Sequence, residues 1–244
     1  MAPLMTIARR EFRSYFDSPL AYVVICLSFA GLGIMFLINE SSFWARDRAS
    51  MEPMFGLIPI GLSMLVIPVI TMGLMAEEKR SGTLEMLITL PVKDSDVMIG
   101  KYLGALGLVL MLLVATLVYP FAMFKFPWNL GPLDWGPVSS AYLGLLLFSA
   151  AAISIGLLIS SLTSSQAIAF FLTFFVLSLL YWSGSMTDFA GGVVGSVLQY
   201  ISFQSRLDGF MRGLIDTRDV VYFLTITGLA LVVAFRALER RRWA

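Results

Sequence analysis

The sequence predicts an all-α membrane protein: six transmembrane helices, an N-terminal interfacial helix, a charged cytoplasmic helix after the second span, and a re-entrant outer segment before the last. Three observations carry this reading. First, 58% of the 244 residues are hydrophobic and only 14% are charged, whereas a soluble domain carries roughly 25% charged residues. Second, six uncharged stretches approach or reach the ~20 residues that cross a bilayer as a helix. Third, Lys and Arg collect at alternate connections between those stretches.

The spans are read at 20–39, 55–75, 102–124, 138–160, 166–185 and 220–235. The fourth and fifth share one uncharged stretch from Trp135 to Thr187. A single helix of that length would overshoot the membrane more than twofold. The polar run from Ser160 to Gln166 is therefore the turn between two spans. The sixth span is the shortest and reaches a full crossing if Arg236 snorkels. With both termini cytoplasmic, 11 of the 17 Lys and Arg residues lie inside, as the positive-inside bias requires. Trp44, Trp128, Trp135 and Trp182 then sit near the outer interface. The first apolar run is too long for a cleaved signal and is expected to stay.

Two units follow: an amphipathic helix over 1–19 and a transmembrane domain over 20–244. In the first, Leu4, Ile7, Ala8, Phe12, Tyr15 and Phe16 recur at helical spacing, with Arg9, Arg10, Arg13 and Asp17 opposite and Pro19 ending the helix. A basic amphipathic helix beside a span lies in the membrane interface. Within the second unit, 76–101 holds the main cytoplasmic charge cluster, which includes Glu77, Glu78, Lys79, Arg80 and Glu85. Leu84, Leu87 and Ile88 form an i, i+3, i+4 stripe with Ser81 or Gly82 as N-cap and Glu85 in the first turn. Pro91 breaks that helix, and Asp94 or Ser95 caps the next. The outer segment, 186–218, opens on an apolar but broken run. It continues with a second interfacial helix over 205–216, striped by Leu207, Phe210, Met211 and Leu214. Ser205 and Asp208 read as its capping box, and Arg212 is placed to pair with Asp208 and Asp216.

Several chemistries are excluded. There is no His, and Cys26 is the only Cys. This rules out intrachain disulfides, His-dependent triads and the usual zinc sets, so no catalytic or metal-ligating residue is assigned. An aspartyl intramembrane protease needs Asp within its spans, and none is present. A secondary transporter stays open as a less favoured alternative: such proteins usually carry ionisable residues or broken helices at the midplane, whereas these spans are uncharged and show no obvious inverted repeat. The net charge of +1 gives no reason to expect nucleic acid. No phosphate loop occurs, since Gly100-Lys101 is followed by Tyr102.

The string from Ala76 to Leu87, with Thr89-Leu90-Pro91-Val92 and Gly100-Lys101, resembles the ABC-2 type permeases, the membrane subunits of type-II ABC exporters. The segments 203–210 and 212–216 look like the outer segment of the short permeases associated with gliding motility and with nitrous-oxide reductase maturation. The resemblance implies that the charged helix is a coupling helix that touches an ATPase. Glu77, Glu78, Arg80, Leu84, Glu85, Leu87 and Ile88 would then be the contact residues. Leu207, Asp208, Phe210, Met211, Arg212 and Leu214 would form an outer gate. It implies two ABC ATPase subunits carrying the ATP and Mg, with no cofactor on this chain. A second permease subunit, identical or related, completes the complex in the bacterial inner membrane, where an extracytoplasmic accessory protein has room to join. An ATP-driven anchor that transmits signal or force without net transport fits the same residues.

Overall fold

A computed structural model describes residues 3–17, 19–38, 52–82, 94–125, 134–187 and 191–240. Among them the structure is helical, with no strand. Helices α1 (Pro3–Asp17) and α2 (Pro19–Ile38) come first. The second span is assembled from α3 (Glu52–Gly61), a π-helical turn (Leu62–Val66) and α4 (Ile67–Met72). After a short turn comes α5 (Ala76–Ser81). The third span is α6 (Asp94–Thr116), with α7 (Val118–Lys125) beyond it. Then follow α8 (Trp135–Leu162), α9 (Gln166–Trp182), a 3-10 turn (Ser183–Met186), α10 (Val193–Ile201), α11 (Phe203–Met211) and α12 (Thr217–Arg240).

Among the described residues five stretches are long and apolar enough to cross a membrane: Met54–Ser81, Ser95–Phe121, Trp135–Leu162, Gln166–Met186 and Thr217–Glu239; α1 and α2 taken as one bent pair would make a sixth. The chain is thus a multi-pass membrane protein. The second to sixth expected spans fall on these five. The first expected span coincides with α2, a 20-residue helix without charge.

Local chemistry explains the breaks. The long uncharged stretch divides where polar side chains compete for the backbone. α8 ends at Leu162, and the Ser165 side chain accepts from the Ile168 amide at 3.5 Å to start α9. In the second span Pro59 and Pro68 lie on either side of the π turn. Neither proline can donate to the helix ladder, and a π turn absorbs the resulting mismatch.

α8 is the most enclosed span and α12 the least. Small residues let neighbours approach α8 closely. A Cβ placed on Gly156 would lie 2.3 Å from Thr71 Oγ1, and one on Gly144 would lie 2.7 Å from Phe210 Cβ. Between them Phe148 stands edge-on to Tyr181, Phe203 and Phe223, joining α8 to α9, α11 and α12.

α1 does not rest on lipid alone. It packs along α6, where Gly100, Gly104 and Gly107 face Ile7, Glu11 and Phe12; a Cβ on Gly100 would meet Ile7 at 2.7 Å, and one on Gly104 would meet Glu11 at 2.7 Å. Three small residues on one helical face remove the bulk that would hold the helices apart.

Candidate functional site

Two constellations lie at opposite ends of α8. The first surrounds α5. Ser160, near the end of α8, sits in the break between α4 and α5. Its hydroxyl accepts from the amides of Met75 and Ala76 at 3.1 Å each and donates to the Met72 carbonyl at 3.2 Å. One side chain thus satisfies three backbone groups freed by the break. Lys79 donates to the Ser161 carbonyl. Glu77 and Glu78 occupy the first turn of α5 and Lys79 and Arg80 its last, the order the helix dipole favours. We expect Ser160→Ala to lower stability by about 1–3 kcal/mol, because buried amides lose their acceptor. The thermal midpoint of the purified protein measures this; an unchanged midpoint would mean that water replaces the hydroxyl.

Lys101 ties this end together. It is 5% exposed, in the first turns of α6. Its ammonium group lies 2.8 Å from Glu78 Oε1 on α5 and 3.3 Å from Glu11 Oε2 on α1. One buried cation therefore joins three separate elements. Tyr15 brings in a fourth element, donating from α1 to the Ile70 carbonyl on α4 at 3.3 Å. Burial, and secondarily the Glu11 carboxylate, holds the Tyr15 phenol well above its ordinary pKa, so it stays a neutral donor.

Of the expected contact residues, Glu77 and Arg80 are exposed on α5, and Glu78 turns inward to Lys101. Leu84, Glu85, Leu87 and Ile88 lie outside the described residues, as do Pro91, Trp44 and Trp128. Ser81 and Gly82 close α5; the helix they are expected to cap next lies outside the described residues. Gly82 takes the left-handed conformation at φ 71°, and Ser81 donates back to the Glu77 carbonyl at 3.0 Å. Glu11 carries no motif that marks it in the sequence. The signal lay in its register: positions 4, 8, 11 and 15 share one helical face, so an acid at 11 falls on the apolar stripe and needs a partner.

The second constellation is the segment before α12. Its helix is not 205–216 as expected but Phe203–Met211, and its cap is Ser202, whose hydroxyl accepts from the Ser205 amide at 3.3 Å. Ser202 wins because its backbone is extended there, as an N-cap requires. The buried stripe is accordingly Phe203, Leu207 and Phe210, with Met211 half-buried beside it. Leu214 leaves the helix: Gly213 turns the chain at φ 89°, and Leu214 is exposed. Asp208 and Arg212 are exposed too, but they form no ion pair with each other or with Asp216. Arg206 instead pairs with Asp219 of α12 at 2.8 Å, so it is half-buried and not in open water. Further ties hold the segment in place. Ser140 of α8 donates to the Phe210 carbonyl at 2.7 Å, and Ser202 donates to the Tyr181 carbonyl at 3.2 Å.

Comparison with curated proteins finds no matching relative. The family model described as ABC-2 family transporter protein matches residues 49–237, most of the chain from just before α3 to near the end of α12. α1, which supplies Glu11, precedes the matched region. The match covers four of the five apolar stretches in full and the fifth up to residue 237, with the break closed by Ser160 and the segment anchored on Phe148. The chain belongs to the ABC-2 family of transporter proteins and is a multi-pass membrane permease.

Proposed function

We propose that this chain is the transmembrane subunit of an ATP-driven exporter, with ATP and Mg bound on a separate ATPase. The observation that carries the reading is the convergence on Lys101. The coupling segment, 76–101, begins with α5 and ends in the first turns of α6. Those two elements are linked to each other and to α1 by one buried cation, and α5 is stitched to the end of α8 by Ser160 and Lys79. A push on this segment would reach several membrane helices without slack. Two ATPase subunits offer two docking clefts, so two permease subunits, identical or related, complete the complex, and the two-fold arrangement is the usual closed solution. Both termini are cytoplasmic in this reading, and the membrane is the bacterial inner membrane.

The test is Leu87→Asp. Burying two or three aliphatic side chains in an ATPase cleft contributes at most about 1.5–3 kcal/mol each, and a carboxylate there removes more than its share. The variant should fold and insert normally while ATPase copurification falls at least about tenfold, the change that 1.4 kcal/mol produces. Undiminished copurification and transport would reject the assignment.

The segment before α12 is proposed to close the pathway on the outside, with 191–203 re-entering the membrane. Its support is the packing of Phe203, Leu207 and Phe210 against α8 and the polar exposure of Asp208 and Arg212. In a Cys26-free background, a membrane-impermeant thiol reagent added outside should label cysteines at 208, 212 and 214 and spare 207 and 210. Uniform labelling would remove the closing role.

A further inference from the structure

Beside the second constellation, between α10, α11 and the start of α12, lies a cavity of about 690 Å³. Its inner wall is Arg206. The guanidinium is stacked 4.4 Å from the Tyr200 ring and 5.0 Å from the Tyr222 ring, bonded to Asp219 at 2.8 Å, and donates to the Tyr200 carbonyl at 3.3 Å. All its faces are engaged and its charge is balanced, so Arg206 builds the wall and leaves the cation role to a neighbour.

That neighbour is Arg218. It lines the same cavity from the first turn of α12, is exposed, and its side chain forms no ion pair or hydrogen bond among the described residues. The position is unfavourable for a cation, because the helix dipole presents its positive end there. Asp216 sits nearby but uses one carboxylate oxygen to accept the Arg218 amide at 2.9 Å, and Asp219 is held by Arg206. Two further groups in the lining have no partner among the described residues: the hydroxyls of Thr217 and Tyr200. The polar part of the lining therefore includes one cation and two hydroxyls without a partner among the described residues, and no carboxylate lines it.

The other end differs. Val221 and Ile226 line it, Tyr222 is tied to the Ile201 carbonyl, and Thr225 donates to the Val221 carbonyl at 2.7 Å. Polarity falls from Thr217 to Ile226 over about 13 Å of helix rise. Below it an apolar face continues along α12 through exposed Leu229 and Val232. A free anion matches only the polar part of the lining. An amphiphile matches the whole gradient.

We propose that this cavity is a binding site for an anionic phospholipid, its phosphate held by Arg218, Thr217 and Tyr200 and its first acyl segment lying along Val221 and Ile226. The site does not depend on the ATPase reading and would persist if that reading failed.

The full chain, purified in a neutral detergent, is titrated with phosphatidylglycerol and separately with phosphatidylcholine, and bound lipid is counted by native mass spectrometry. Wild type should retain phosphatidylglycerol preferentially. Arg218→Gln should reduce that preference about fivefold, the contribution of one basic residue to anionic lipid. Because Arg218 is exposed, the variant should fold; an unchanged gel-filtration profile checks this. Arg236→Gln, a cation near the far end of the same helix, should leave the preference unchanged. No preference in wild type, full retention in Arg218→Gln, or equal loss in both variants would overturn the site. Displacement of the lipid by millimolar inorganic phosphate would show that a free anion satisfies it and would overturn the assignment to an amphiphile.

Discussion

Replacing Lys101 by Met should cost the protein about 3–5 kcal/mol, the range for removing one partner of a buried ion pair. The ammonium group balances Glu78 at 2.8 Å and Glu11 at 3.3 Å, and Lys101 itself is almost fully enclosed. Without it two carboxylates from different helices face each other with no cation between them. α1 should then loosen from α6 while the spans stay inserted. The purified variant should melt at lower temperature, and adding Glu11→Gln with Glu78→Gln should recover part of the loss by removing the repulsion. Recovery by the double neutral background also separates a charge effect from lost packing, since both amides keep the carboxylate shape. A midpoint equal to wild type would mean that the cluster is hydrated and binds nothing together.

The second large effect is expected at Gly156. A Cβ there would lie 2.3 Å from Thr71 Oγ1, 2.7 Å from its Cβ and 2.8 Å from its Cγ2. No rotation of the threonine escapes this, because the Cβ itself is in the way. Gly156→Ala must therefore push α4 off α8, and overpacking of this kind costs about 1–3 kcal/mol or more. Thr71→Ala should rescue little, since the alanine keeps the offending carbon. Thr71→Gly should rescue more, despite the roughly 1 kcal/mol that glycine costs within a helix. The order of thermal midpoints across wild type, Gly156→Ala and its combinations with Thr71→Ala and Thr71→Gly checks the argument. Equal rescue by alanine and glycine would place the contact elsewhere.

The spans were legible because their signal is local. Absence of charge over a membrane's width needs no knowledge of what packs against it, and the Ser160–Gln166 turn and the start of α6 at Asp94 follow from residues within a few positions. The ties between spans were not. Glu11 and Lys101 are 90 residues apart, and Met75 and Ser160 are 85 apart. Nothing near Lys101 marks it as enclosed; the sequence alone reads it as one more cytoplasmic charge. The segment before α12 failed in an instructive way. A stripe of Leu207, Phe210, Met211 and Leu214 has helical spacing, but it competed with a better cap at Ser202 and with Gly213, whose conformation ends the helix. Periodicity located the buried face and misplaced its ends.

The serines of α8 carry a consequence for water. Ser139, Ser140, Ser149, Ser154, Ser160 and Ser161 each donate to a backbone carbonyl, either of α8 itself or of Met72 and Phe210. The most enclosed helix therefore keeps no free hydroxyl proton to offer a passing hydrogen-bond acceptor. On α9 the case differs, because the enclosed hydroxyls of Thr173 and Ser178 have no partner among the described residues. The hydroxyl protons along α8 are thus spent inside the protein, whereas α9 holds two enclosed hydroxyls without a partner among the described residues. A water molecule that enters the protein therefore finds unmet hydrogen-bonding demand at Thr173 and Ser178 of α9 before it finds any along the serines of α8.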